Sequence, residues 1–182
     1  SRLEKAEEDI KRYIEEHKRR SEETLKELTD KAREITRRLD ESLKTVEDTS
    51  REIKKDVEDR GNDKDTMEKV KEDYKRLVRR LEELIEEMIR EADKSVKDLE
   101  RETEESKRKI EEEAEKLREE SDDEDLRRVI KRIRELLERL EREDRRIIEE
   151  IKKLLDRLKK KVEDIIERIE RSLKRLEEEL RR

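Results

Sequence analysis

LLERLEREDRRIIEEI, residues 136–151, is the stretch on which the reading of this chain turns. Its apolar residues recur three and four positions apart, the spacing that lines one face of an α-helix. Asp144 stands where that schedule calls for another apolar side chain. Working outward, Leu126, Val129, Ile130, Ile133, Leu136, Leu137 and Leu140 map, on adding 18, to Asp144, Ile147, Ile148, Ile151, Leu154, Leu155 and Leu158. A second step of 18 reaches Val162, Ile165, Ile166, Ile169, Ser172, Leu173 and Leu176. The same step relates Ile10, Leu28 and Val46, and again Leu81, Leu99 and Leu117. Eighteen residues make about five turns of an undistorted α-helix. A heptad pattern would impose a left-handed supercoil instead. The spacing therefore predicts long, nearly straight helices.

The composition permits little else. Of 182 residues, 63% are charged and 27% hydrophobic, with one Gly and no Pro, Cys, Trp or Phe. A chain this polar folds only if its few apolar residues are placed with economy, and helix formers supply nearly all of it. The 54 basic and 60 acidic residues alternate closely and leave a net charge of −6. No single-sign field is present to recruit nucleic acid or an acidic membrane. Apolar runs never exceed two residues, so no membrane span or leader peptide is expected and the chain reads as soluble. Nothing in the sequence indicates a compartment.

Two breaks divide the pattern. At VEDRGNDKDTMEKV, Gly61 can take the left-handed conformation that ends a helix, with Asn62, Asp63 and Lys64 forming a short turn. At LREESDDEDLRRVI, Ser121 and Glu124 read as a capping box with acids at the positive end of the next helix. The segments, about 2–60, 64–119 and 122–181, are nearly equal, and short connections between equal helices give an all-α, up-down-up antiparallel bundle of three helices in a single domain, 1–182.

Polar residues interrupt the apolar stripe, most of all in the first helix. Folding back at Gly61–Asn62 brings His17 near Ser106, Ser21 near Thr103, and Ser50 near Tyr74. Folding again near Ser121 brings Asp144 level with Thr24, and Ser172 level with Ser50 and Tyr74. Two readings follow. The residues form hydrogen-bonded layers that fix register, since a misaligned buried polar group costs about 1–3 kcal/mol; or they are half-exposed boundary positions whose hydroxyls bond back to their own helix. Asp144 is expected to reach water or an Arg at the edge of the stripe.

Catalytic and metal-binding readings find no support. His17 has Ile14 three residues before it, so the E-x-x-H metal motif is missing. No glycine-rich loop or pocket-forming insertion organises the carboxylates. The run Arg157-Leu158-Lys159-Lys160-Lys161 is followed by Glu163 and Asp164 and lacks aromatic neighbours, so it reads as a solvated face. The expectation is a non-enzyme with no cofactor and no metal.

An almost unbroken 18-residue repeat, a surface of Glu, Lys, Arg and Asp, a core of Leu, Ile and Val, and the minimal loop Gly61-Asn62-Asp63-Lys64 together resemble computationally designed, parametrically generated helical bundles. Spectrin-like repeats are the natural counterpart, but they carry core Trp, Phe and Gln that this chain lacks. The resemblance, which spans the whole chain, implies a structural scaffold with no natural substrate and no required partner. The alternatives are a homo-oligomer assembled through the helix at 122–181, whose apolar arc is the widest, and a switch hinged at Gly61 or at the 118–122 junction.

Overall fold

The computed structural model describes residues 2–61, 64–120 and 123–181. Helix α1 runs Arg2–Arg60, α2 Lys64–Glu120 and α3 Glu124–Leu180, of 59, 57 and 57 residues. Gly61 ends α1 as expected. Its φ is +89° and its N–H donates to the Val57 carbonyl at 2.8 Å, closing the last turn in a conformation that a Cβ would strain. The start of α3 differs from expectation. Asp123 is the cap, its Oδ1 accepting from the Leu126 N–H at 2.9 Å, so the helix opens at Glu124 rather than at 122. Glu124 and Asp125 then lie at the positive end of the helix dipole. Ser121, Asn62 and Asp63, also expected in the turns, lie outside the described residues.

The chain forms two compact units, each taking one stretch of every helix: 1–28 with 91–153, and 29–90 with 154–182. In the first, Tyr13 meets Ser106 and His17 meets Thr103, so α1 and α2 run antiparallel. Lys107–Glu141 and Thr103–Asp144 set the same sense for α2 and α3. Arg132–Glu7 and Asp144–His17 make α1 and α3 parallel. The core there packs Ile10, Ile110, Val129, Ile133 and Leu137 against Tyr13 and Ile14. Beside it Leu117, Leu126 and Ile130 pack with Leu3, Ala6 and Ala114.

In the second unit Asp40–Lys161, Ser50–Ser172 and Lys54–Glu179 again make α1 and α3 parallel. Leu39 and Ile165 are fully buried, with Val46, Val70, Leu81, Leu158 and Val162 close to it. Most of the largest fully buried side chains belong to α3, among them Leu126, Ile133, Ile151, Ile169 and Leu176. On the flank of its wide apolar arc Leu136, Ile148, Leu154, Ile166 and Leu173 are only part-buried. No large hydrophobic side chain among the described residues is exposed.

Candidate functional site

Apart from Glu7, the buried polar side chains of the first unit collect in one cluster, and the second unit holds a part-buried cluster of hydroxyls. In the first, His17 and Ser21 sit one turn apart on α1, Thr103 and Ser106 nearly one turn apart on α2, and Asp144 on α3. His17, Ser21, Ser106 and Asp144 are all buried. Asp144 corrects the expectation of a solvated edge position. It is 4% exposed, and the His17 Nε2 lies 2.9 Å from its Oδ2. Thr103 Oγ1 donates to Oδ2, and Ser21 Oγ reaches Oδ1 at 3.3 Å. As a carboxylate Asp144 is an acceptor only, so α1 and α2 supply the donors and α3 the acceptor.

Each hydroxyl proton here serves two acceptors. Ser21 also points at the His17 carbonyl at 2.9 Å and Thr103 at the Leu99 carbonyl at 2.8 Å. The two readings of the polar residues therefore coincide at these positions: the hydroxyls bond back to their own helix while facing a carboxylate from another. The other ring nitrogen of His17, Nδ1, is buried without a hydrogen-bond partner.

Ser106 was expected near His17 and instead donates to the Tyr13 hydroxyl at 3.2 Å and to the Glu102 carbonyl at 2.7 Å. His17 faces Thr103, within one turn of that expectation. Thr24 stays apart from the cluster, its hydroxyl on the Arg20 carbonyl at 3.0 Å. Sequence reasoning missed Tyr13, whose place on the apolar schedule beside Ile10 and Ile14 hid the need of its hydroxyl for a partner. It also missed Glu7, only 9% exposed, held by Arg132 through Nε at 2.8 Å and Nη2 at 3.1 Å. That two-pronged geometry is the favourable one for an Arg–carboxylate pair.

The second cluster joins Ser50 of α1, Tyr74 of α2 and Ser172 of α3. The Ser50 and Tyr74 hydroxyls lie 2.5 Å apart, Ser50 and Ser172 3.3 Å, and the Tyr74 hydroxyl lies 3.3 Å from the Val46 carbonyl. Burial pushes the Tyr74 phenol above its ordinary range, partly offset by the bond to Ser50. These are the three residues that the sequence places at one height.

Chemically, the first cluster is closed, whereas Ser50 and Ser172 of the second are part-buried and line a groove. His17 has no exposed surface, so no substrate reaches it, and among the described residues no group of three or more His, Asp or Glu could hold a metal ion. Among the described residues no helix is long and apolar enough to cross a membrane. What the arrangement can do is discriminate between alignments of three otherwise similar amphipathic helices, because sliding one helix by a turn strands His17 and Asp144 against aliphatic neighbours.

A solved structure described as a computationally designed three helix bundle matches the fold with a TM-score of 0.73, covering 99% of this chain and 91% of that one. At 17% sequence identity the likeness is one of fold alone. None of the curated proteins matches the chain. The family model of apolipophorin-III precursor (apoLp-III) matches residues 44–180, a span that holds the whole second cluster together with Thr103, Ser106 and Asp144. That span is well over half of the sequence, and the chain belongs to the apolipophorin-III family.

Proposed function

We propose that the chain is a structural scaffold, generated for its fold, in which two buried polar layers fix the alignment of three helices. One observation carries this reading, that polar side chains of α1 and α2 converge on Asp144 of α3, and a second supports it, that no large hydrophobic is left exposed among the described residues. The first is what alignment needs, and the second leaves no apolar surface asking for a partner. The near-perfect 18-residue repeat and the likeness to a designed bundle support a designed origin. The family and the fold both point away from catalysis.

Family membership favours a second reading. The name apolipophorin belongs to a lipid-carrying helical protein, and an amphipathic helix released from a bundle can lay its apolar face on a lipid surface. The two readings separate on vesicles of phosphatidylcholine. A scaffold stays in solution with the ring of its single histidine, His17, still protected from solvent, as read by NMR. A carrier floats with the vesicles and exposes that ring, which would replace the scaffold reading with the second.

A further inference from the structure

We propose that two copies of this chain exchange α1 with Gly61 as the hinge: α1 of each protomer packs on α2 and α3 of its partner, and α1 runs on into α2 as continuous helix. The break between α1 and α2 rests on one residue. Gly61 has the only positive φ among the described residues, +89°, and its N–H closes the last turn on the Val57 carbonyl at 2.8 Å. The chain has no Pro, and the flanking helices are 59 and 57 residues long. At a φ of about −60° Gly61 carries the helix forward instead.

The charges at this turn favour straightening. Glu58 and Asp59 lie in the last turn of α1, at the negative end of its dipole, where only Arg60 is basic. Lys64 opens α2 at the positive end, ahead of Asp65. A continuous helix has neither end here, so both conflicts vanish. The start of α3 is arranged the other way, with Asp123 as the cap and Glu124 and Asp125 beside it. That contrast places the hinge at the first connection.

What α1 docks on is unchanged by the exchange. His17 and Ser21 bond to Asp144, Ser50 to Tyr74, and Glu7 to Arg132. Each is a contact with α2 or α3, and the α1 of a second copy makes it equally well. Among the described residues three of the five buried polar side chains, Glu7, His17 and Ser21, belong to α1. When α1 leaves, these groups lose their partners, and they regain all of them only at the same place on another copy. Exchange of an identical element is a low-cost route to a dimer, and a short connection invites it.

This exchange goes beyond the scaffold reading and leaves the dilute chain a monomer. It requires two opened chains to meet, so refolding at about 1 mM captures the dimer while refolding at micromolar concentration does not. The full chain is unfolded in guanidinium, refolded at both concentrations and resolved by size exclusion with light scattering. Because the sequence has no Cys, Asp40→Cys/Lys161→Cys marks an α1–α3 pair that meets at 2.8 Å, and a short bis-maleimide joins it. The expected result is a dimer whose cross-link, under denaturing conditions, joins two chains, and a monomer whose cross-link stays within one. Gly61→Ala relieves the strain of two left-handed residues per dimer and raises the dimer-to-monomer ratio about tenfold or more. Six Gly and Ser residues inserted after Gly61 lower it several-fold, because they ease the turn and weaken a continuous helix. No dimer from either the parent or Gly61→Ala overturns the proposal. So does a dimer cross-linked only within single chains, or a ratio that Gly61→Ala leaves unchanged.

Discussion

His17 of α1 and Asp144 of α3 stand 2.9 Å apart inside the core, 127 residues distant in sequence. Taking one of them away leaves the other buried without its ring or carboxylate partner, Asp144 keeping only the Ser21 and Thr103 hydroxyls, so Asp144→Leu or His17→Leu alone is expected to destabilise the chain by about 3–5 kcal/mol. Replacing both with Leu removes the stranded group, and the double variant is expected within about 1–2 kcal/mol of the parent or above it. Guanidinium unfolding of the four proteins measures the coupling. Additive losses in the double variant would mean that the two residues do not act as a pair.

Gly61 is the one residue with positive φ among those described, and an added Cβ there meets no atom within 4 Å. Only backbone strain therefore opposes substitution. Gly61→Ala is expected to cost about 1 kcal/mol and Gly61→Asn less, because Asn tolerates the left-handed region. Equal costs for the two in chemical denaturation would show that something other than φ is at stake.

Tyr74 sets an alkaline limit. Its phenol is held above the ordinary value near 10 by burial. A group whose folded-state value is raised contributes stability that is complete below the unfolded-state value and disappears as pH climbs through the folded one. Unfolding free energy should thus fall above about pH 10, and Tyr74→Phe should fall less steeply there. Absorbance of the phenolate gives a second readout: one of the two tyrosines should titrate late and be absent from Tyr74→Phe. Identical alkaline slopes for parent and variant would contradict the buried assignment.

Burial and surface charge should differ sharply in their effect. Ile165 is fully buried, and Ile165→Ala is expected to cost about 2–5 kcal/mol. The exposed pair of Arg37 with Glu34, at 2.5 Å, has both side chains about half in water, and Arg37→Ala should cost under about 1 kcal/mol. Thermal unfolding of the two variants ranks them, and the reverse order would mean that charge rather than packing holds this highly charged chain.

The helices and their order were legible because the apolar period is redundant. Leu126, Val162 and their neighbours repeat one instruction, and Gly61 punctuates it. The polar layers were only half legible. Ser50, Tyr74 and Ser172 fall at one height by counting from the turns, yet counting gives height and not direction. Whether Asp144 turned outward to an Arg or inward to His17 depended on a partner from another helix, which no local pattern encodes. Tyr13 was hidden for the opposite reason, since its ring satisfies the apolar schedule and only its hydroxyl does not. The α3 cap moved from Ser121 to Asp123 because several adjacent residues, Ser121, Asp122 and Asp123, are all good caps.

The three-helix core is closed by one chain, with the central apolar residues of α3 packed under α1 and α2. Sedimentation equilibrium at micromolar concentration tests this directly. A single species at the chain mass of 22.5 kDa is the predicted result. A species at two or three times that mass, persisting on dilution, would contradict it and move the third helix to the centre of an assembly.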